Sequence, residues 1–213
     1  VNIQSTGHIF GAVSFGDGND RLYTSGEIKA GSADAVAVDM GAGDDWVTLY
    51  NGTTMQGTIR LGDGNDFLTS TSGGGFVIDA GDGDDQIYLS SMVIGGDDVI
   101  DGGNGNDTIY AGIGNDEIRG GFGDDILVGE DGSDTYIYGY HHGSDIIREG
   151  AGQAGDVDTL VFTDNSDGSL TFYKHGNDLV IEVENGVGYV NSTITVTDQF
   201  AGGGIENINL DNG

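Results

Sequence analysis

A glycine- and aspartate-rich unit of nine residues repeats without interruption over residues 95–136. The copies read GGDDVID, which is two residues short, then GGNGNDTIY, AGIGNDEIR, GGFGDDILV and the start of a fifth, GEDGSDTY. Each copy has a glycine-rich half that ends in aspartate, and a second half with one apolar residue at its centre. Those apolar residues are Ile100, Ile109, Ile118, Leu127 and Tyr136. Any fold of this chain must accommodate that period.

The two halves of the repeat predict a turn followed by a short strand. Closely spaced glycines permit positive φ and let backbone carbonyls converge. The other half is long enough for one short strand whose apolar side chain faces inward. Because no copy can bury its own apolar side chain, neighbouring copies must stack. We therefore expect an all-β fold in which the chain winds into a parallel coil.

The aspartate that ends each turn carries the chemistry of the repeat. A carboxylate beside free carbonyl oxygens is a hard, all-oxygen environment, which suits a calcium ion. Stacked carboxylates without a metal would repel one another. The sequence therefore predicts calcium ligands at the turn ends of the block, which are Asp98, Asp107, Asp116, Asp125 and Asp134.

Similar turns occur upstream at wider intervals. They are FGDGNDRLY (15–23), MGAGDDWVT (40–48), LGDGNDFLT (61–69) and AGDGDDQIY (80–88). Their last aspartates, Asp20, Asp45, Asp66 and Asp85, are 25, 21 and 19 residues apart, which is close to two nonapeptides. Successive nonapeptides should therefore lie on opposite sides of the coil, so that every second turn stacks.

This winding predicts two unequal edges. The first edge carries Asp20, Asp45, Asp66, Asp85, Asp107, Asp125 and Asp145. The other edge carries Asp98, Asp116 and Asp134, preceded by three weaker turns: GSADAVA with Asp34, NGTTMQG (51–57) and SGGG (72–75). With each ion shared between adjacent aspartates, we expect about six calcium ions on the first edge and about two on the second, about eight in all.

The same winding predicts which side chains face inward. The expected interior residues are Leu22, Val36, Val47, Leu68, Ile87, Ile109 and Leu127. Trp46 and Phe67, each one place before an interior residue, should point outward.

The repeat block resembles the RTX (repeats-in-toxin) calcium-binding nonapeptide. The resemblance implies a right-handed parallel β-roll, a β-solenoid with calcium-binding turns. The long-interval half is similar to a second RTX variety found in ice-binding domains of bacterial adhesins, where a Thr and an Asn per coil form a flat array. Here the Thr position holds Asp17, Ala42, Asp63 and Asp82, and the Asn position holds Asn19, Asp44, Asn65 and Asp84. We do not expect such a charged, mixed array to bind ice.

After Tyr136 the repeat degenerates, and a polar joint follows at 150–158. Five segments beyond the joint alternate apolar and polar residues between turn-forming residues, which predicts antiparallel strands. We read residues 1–149 as the roll and 150–213 as an antiparallel β cap that covers its open end. The cap resembles the segment after the last nonapeptides of RTX proteins through DLVI (178–181), ITVT (194–197), Phe200, IENI (205–208) and DNG (211–213), although Gln199 stands where that family often has Trp.

Composition limits the partners. The chain has 36 acidic and 6 basic residues, a net charge of −30, and no cysteine. Nucleic acids and anionic membranes are therefore excluded as partners, and disulfides cannot form. No apolar stretch is long enough to span a bilayer, and no signal-peptide pattern begins the chain. Because the chain does not begin with Met, we expect it to be a piece of a longer protein.

Catalysis is not expected from this chain. His141 and His142 are adjacent and lack a third ligand for a transition metal, so a polar loop is the simpler interpretation. No nucleophile elbow precedes a helix, and most carboxylates lie in the predicted calcium turns. The resemblance implies a calcium-dependent folding and secretion module, near the C-terminus of an extracellular bacterial protein exported by type I secretion machinery. We expect the parent to be a cell-surface or biofilm adhesin, and the module to be a monomer. The alternatives are an accessory domain of a secreted lipase, protease or polysaccharide-modifying enzyme, and a calcium-dependent glycan-binding domain.

Overall fold

The computed structural model describes residues 1–33, 35–89, 95–139, 141–149, 156–163, 169–184, 190–201 and 204–210. These residues form β-strands and no α-helix, so we find among them no helix of the length and apolarity needed to cross a bilayer. The strands are β1 (Asn2–Ser5), β2 (Ile9–Phe10), β3 (Val13–Ser14), β4 (Arg21–Thr24), β5 (Glu27–Lys29), β6 (Val36–Ala42), β7 (Trp46–Leu49), β8 (Thr54–Gln56), β9 (Thr58–Asp63), β10 (Phe67–Ser70), β11 (Val77–Asp82), β12 (Gln86–Leu89), β13 (Val99–Asn104), β14 (Thr108–Ile113), β15 (Glu117–Phe122), β16 (Ile126–Asp131), β17 (Thr135–Tyr138), β18 (Ser144–Arg148), β19 (Thr159–Phe162), β20 (Ser169–His175), β21 (Asp178–Glu184), β22 (Val190–Thr197) and β23 (Asn207–Leu210).

The strands build a parallel β-solenoid with two main sheets. The first sheet has the order β1-β4-β7-β10-β12-β14-β16-β18-β22-β21-β20, and the second has the order β23-β19-β17-β15-β13-β11-β9-β6-β3. From β9 to β18 the chain alternates between the two sheets, so each coil contributes one strand to each. The predicted all-β roll, with every second turn stacked on the same side, is therefore confirmed.

The interior is a narrow apolar stack between the two sheets. In the first sheet Leu68 lies between Val47 and Ile87 in register, and all three side chains are buried. Six of the seven predicted interior residues are buried; Val36 is only half-buried. An irregularity in β6 explains the exception, because Val36 pairs with Thr58 while Val38 pairs with Ile59, which leaves Val38 in the core instead. The predicted outward direction of Trp46 is confirmed, and its ring stacks on that of Phe67 at 4.1 Å between centroids.

The first coils are three-sided, which differs from the two-sided winding predicted for the whole chain. Strands β2, β5 and β8 form a small third sheet, with Ile28 paired to both Ile9 and Met55. Part of NGTTMQG (51–57), which we expected to be a turn, is therefore the strand β8. The reason is coil length, because the longer intervals leave enough residues for an extra strand, and Ile28 gives that strand a buried anchor.

Beyond residue 150 the cap is antiparallel only in part. Strands β20, β21 and β22 pair antiparallel as predicted. However, β22 also pairs parallel with β18, and β19 and β23 extend the second sheet in parallel. The parallel coil thus continues into the segment that the sequence pattern assigned to the cap. Asp34, most of the polar joint and DNG (211–213) lie outside the described residues.

Candidate metal centre

A buried aspartate lies immediately before each of the strands β4, β7, β10, β12, β14 and β16 of the first sheet, and a seventh lies near the start of β18. The aspartate Oδ1 accepts a hydrogen bond from the backbone N–H of the equivalent aspartate in the preceding coil, over six steps of 2.7 to 2.9 Å. We call this row the first ladder; its members are Asp20, Asp45, Asp66, Asp85, Asp107, Asp125 and Asp145. It contains all the aspartates that the sequence placed on the first edge. At the first end of the ladder, Asp20 Oδ1 accepts a hydrogen bond from the amino group of Val1. At the other end, Asp145 pairs in register with Ile194, which has no carboxylate to continue the row.

A second ladder lies before the strands of the second sheet. Asp116 accepts from the N–H of Asp98 at 2.7 Å, and Asp134 accepts from that of Asp116 at 2.9 Å. The row begins at Asp98, because the equivalent position one coil earlier holds Phe76, whose N–H donates to Asp98. The three aspartates predicted on the second edge are therefore in one row. Calcium binding by the members of either ladder stays a prediction.

The second ladder is longer than the sequence pattern indicated. The N–H of Asp134 donates to Asp158 at 2.9 Å, and the N–H of Asp158 donates to Glu206 Oε2 at 2.7 Å. Both residues were missed because intervals of 24 and 48 residues separate the members, instead of the 18 between Asp116 and Asp134. The remaining signal is a carboxylate two places before an inward apolar residue, here Leu160 and Ile208, as in the repeats.

The second carboxylate oxygen of most ladder aspartates has no partner. Oδ2 is buried and makes no hydrogen bond in Asp20, Asp45, Asp66, Asp85, Asp107, Asp116, Asp125 and Asp134. Buried polar atoms in proteins are nearly always paired, and an unpaired buried charge is costly. The ladders therefore present unsatisfied acceptors that a cation could bind.

Backbone oxygens lie beside these free carboxylate oxygens. A β-carbon placed on Gly102 would lie 2.5 Å from Asp107 Oδ2 and would also collide with the carbonyl oxygen of Gly120. Asp107 Oδ2 and the carbonyl oxygen of Gly120 thus lie together beside the α-carbon of residue 102, which leaves no room for a side chain there. Gly105 in the same turn has a φ of 131°, which side chains rarely adopt. Carboxylate and carbonyl oxygens without nitrogen or sulfur are the ligands that calcium prefers, so the residues present fit calcium.

The ladder aspartates have raised pKa values, which also indicates that their charge is not compensated within the protein. Burial raises the pKa of Asp85, Asp98 and Asp145 to about 8, with neighbouring carboxylates contributing in the same direction. The pKa of Asp116 and Asp125 is raised less, to about 6, again through burial. Backbone hydrogen bonds to the carboxylates oppose these shifts without cancelling them. Without a cation, the ladders would hold protons well above the pH at which free aspartate loses them.

An outer row of exposed side chains accompanies the first ladder, one residue earlier in each turn. Each side-chain Oδ1 accepts from the backbone N–H of the next coil at 2.8 to 3.2 Å. The row reads Asn19, Asp44, Asn65, Asp84, Asn106, Asp124 and Ser144. Amides and carboxylates alternate, so no two carboxylates are adjacent in the row. This spacing limits the repulsion that stacked like charges would produce.

The adjacent histidines have different environments. His141 is exposed, whereas His142 is buried against the rings of Tyr138 and Phe122. Burial lowers the pKa of His142 to about 4, so it is neutral near pH 7. Its Nδ1 lies 3.4 Å from the backbone nitrogen of Gly139, the N–H donor. His142 is thus a packing residue of the last coil.

Likenesses of the whole chain to known proteins are weak. No curated protein matches it. Among the matching solved structures is the extracellular lipase LipA from Serratia marcescens, at 19% identity and a TM-score of 0.38. That match covers 91% of this chain but only 37% of the lipase chain.

A comparison with protein families is more specific. The model of the RTX calcium-binding nonapeptide repeat matches four times, over residues 77–91, 95–118 and 101–136. These residues include β11 to β16 and six of the ladder aspartates: Asp85, Asp98, Asp107, Asp116, Asp125 and Asp134. Residues 77–91 and 95–136 therefore carry RTX calcium-binding nonapeptide repeats.

Proposed function

We propose that the chain is a calcium-dependent folding and secretion module of an extracellular bacterial protein exported by a type I system. The observation that carries this proposal is the row of buried Oδ2 atoms without partners, repeated once per coil inside an otherwise apolar solenoid. In a fold stabilised by its apolar core alone, these buried carboxylates would only be destabilising. In a fold that binds cations, they are the ligands.

Without calcium the folded state is disfavoured by charge and by entropy. Stacked carboxylates about 5 Å apart, the spacing of neighbouring strands, repel one another in a site that water does not reach. The chain contains 42 glycines, and glycine loses more backbone freedom on ordering than any other residue. The apolar stack is narrow and cannot offset both costs. The chain should therefore stay extended, a form that can thread through an export channel.

With calcium the same residues stabilise the coil. Bound calcium supplies positive charge that neutralises the buried carboxylates. The Oδ2 atoms of adjacent coils and the turn carbonyls would hold the ions, while each Oδ1 keeps its backbone hydrogen bond. Ligands that bind only the folded state add their binding free energy to folding. Extracellular calcium modules have dissociation constants on the order of 10⁻⁴–10⁻³ M, which would confine folding to the outside of the cell.

The parent protein is proposed to be an adhesin of the cell surface or biofilm, with this module near its C-terminus. In this proposal the module has no active site of its own and works as a monomer. The high negative charge keeps the unfolded chain soluble during export, since net charge far from zero opposes association. Sequences flanking Val1 and Gly213 test the assignment, because repetitive extender domains support an adhesin and an adjacent catalytic domain supports the accessory role in a secreted enzyme.

Calcium removal tests the folding role directly. We expect chelation to unfold residues 14–149 and the cap with them. Circular dichroism should show this as a loss of the β signal, which added calcium restores. Magnesium at the same concentration is the control, because Mg²⁺ keeps several of its water ligands and binds poorly to sites made only of protein oxygens. A β spectrum that is unchanged by the chelator would refute the proposal.

One observation favours glycan binding as a second candidate. Four aromatic rings form a row across the outer face of the first sheet, Trp46, Phe67, Tyr88 and Tyr110, with centroids 4.1, 5.7 and 5.2 Å apart. Trp46 is exposed and the other three rings are half-buried, so the row offers apolar surface on which sugar rings can pack. A neutral glycan is the expected class, because the net charge of −30 repels acidic ones. A glycan array with the calcium-loaded protein and a Phe67→Ala variant separates this role from packing alone.

A further inference from the structure

The junction between the last coils and the cap gathers acidic side chains from separate parts of the chain. Asp134 precedes β17, Glu149 follows β18, and Asp158 precedes β19. One carboxylate oxygen from each of these residues lies within 4.8 Å of the other two. Glu149 belongs to no nonapeptide, so the grouping is a product of the fold.

Several polar atoms at this junction are buried without a partner. Asp134 has no exposed surface, and its Oδ2 makes no hydrogen bond. Both carboxylate oxygens of Glu149 are buried and make no hydrogen bond of normal geometry. The hydroxyl of Tyr136 is also buried; it lies beside Glu149, within reach of that carboxylate, and near Asp134. Each of these groups would be destabilising unless something between them satisfied it.

The protein supplies no counter-charge of its own in the described part of the junction. The ion pairs found among the described residues involve Asp20, Glu27, Asp79 and Asp101, and none includes Asp134, Glu149 or Asp158. The segment 150–157 that connects Glu149 to Asp158 contains no Lys, Arg or His. Three converging carboxylates with this surrounding must either hold protons or bind a cation from solution.

We propose that Asp134, Glu149 and Asp158 form a calcium site that fastens the cap to the roll, with Tyr136 beside it. Three carboxylates and a hydroxyl are hard oxygen ligands, which favours calcium over zinc and other metals that prefer nitrogen or sulfur. Asp158 also accepts the backbone hydrogen bond of Asp134 and donates its own to Glu206. Ordering Asp158 therefore orders both β19 and β23, the parallel strands that extend the second sheet. This inference rests on the proposed function, because Asp134 and Asp158 are also members of the second ladder, and Glu149 is the residue that lies outside it.

The variant Glu149→Gln tests the site because it removes one charge at nearly constant volume. The measurements are the number of bound calcium ions by equilibrium dialysis, and hydrogen exchange of β19 and β23 over a calcium titration. We expect one ion fewer, and a calcium midpoint for protection of β19 and β23 that rises on the order of tenfold or more, since even indirect changes cost metal sites that much. Strands β13 to β16 should be protected at unchanged calcium. The matched control is Glu117→Gln, an exposed carboxylate on the same sheet.

The bound-calcium count and the protection of β19 and β23 in Glu149→Gln distinguish a calcium site from simple repulsion. If the three carboxylates simply repel one another, Glu149→Gln leaves the ion count unchanged and protects β19 and β23 as well as or better than wild type, which overturns the proposal. Loss of protection throughout the roll also overturns it, because the site is confined to the junction. Asp158→Asn provides a second variant with the same expected result. If wild type itself fails to fold with calcium, the proposed function fails, whereas a normal wild type with an unaffected variant refutes the junction site alone.

Discussion

Each ladder aspartate uses its two carboxylate oxygens for different purposes. In Asp107, Oδ1 accepts the backbone N–H of Asp85 at 2.8 Å, which fixes the register between coils. The other oxygen is buried without a partner beside the turn glycines. Asparagine could replace the first role but not the second, because its amide group is a donor where Oδ2 is an acceptor. The residue type is therefore determined by the free oxygen.

Protonation should compete with calcium at these carboxylates. Burial raises the pKa of Asp66 to about 7 and that of Asp85 to about 8, whereas an unfolded aspartate has a pKa of about 4. Between these values the calcium-free folded state holds protons that the unfolded state has released, so its stability falls as pH rises from about 4 to about 8. In calcium-free buffer we expect more β signal by circular dichroism at pH 4.5 than at pH 8.

With calcium the pH dependence should reverse. Binding must displace the protons, so the calcium midpoint should fall as pH rises, and calcium addition near pH 7 should release protons into a weakly buffered solution. A calcium-free β signal that grows with pH, or binding without proton release, would contradict the predicted burial of these carboxylates.

At the scale of elements, each ladder connects the strands of one edge only. The first ladder runs along the strands of the first sheet from β4 to β18, whereas the second begins before β13. Substitution of an aspartate in one ladder should therefore destabilise the strands along that edge more than the strands of the opposite sheet. Trp46 provides a local probe, because it is the only tryptophan and lies in β7 of the first sheet.

Asp107→Asn and Asp116→Asn form a matched pair for this comparison. Both remove a buried oxygen without a partner, Asp107 from the first ladder and Asp116 from the second. We expect Asp107→Asn to raise the calcium midpoint of Trp46 fluorescence on the order of tenfold. Asp116→Asn should leave that midpoint nearly unchanged while reducing hydrogen-exchange protection of β13, β15 and β17. Equal effects of the two variants on Trp46 would show that the edges are not independent.

At the scale of the whole molecule, the solenoid is asymmetric along its length. Coils between Asp20 and Asp85 have one ladder, with a small third sheet in the coils up to Gln56, whereas coils from Asp98 to Asp134 have carboxylates on both edges. Repeat proteins gain stability locally and propagate order to their neighbours. The two-ladder half should therefore gain the most from calcium.

Folding in a calcium titration should begin in that half. Hydrogen exchange should show β13 to β16 protected at lower calcium than β4 to β7, because more ligands act on each coil there. Simultaneous protection of all strands would mean that the solenoid folds as a single cooperative unit. Earlier protection of β4 to β7 would refute the assignment of the stronger half.

Much of this architecture could be predicted because a short period leaves few ways to bury one apolar residue per repeat. The spacing of Asp20, Asp45, Asp66 and Asp85 predicted the alternation of sides, and with it both rows of aspartates. Val36 was misplaced because the β6 irregularity has no signature in a propensity pattern. The third sheet was missed because a strand of three residues such as β5 resembles a turn until its partners are known.

The sequence by itself determined the repeating unit, the chemistry of its turns and the edge on which each aspartate lies, since all three follow from local spacing. Only the tertiary structure decided how the ladders end. Asp158 and Glu206 join the second ladder across intervals of 24 and 48 residues, and Glu149 reaches Asp134 from the opposite sheet. The reason is physical: periodicity specifies contacts between neighbouring repeats, whereas a contact across a long insertion depends on how the whole chain closes.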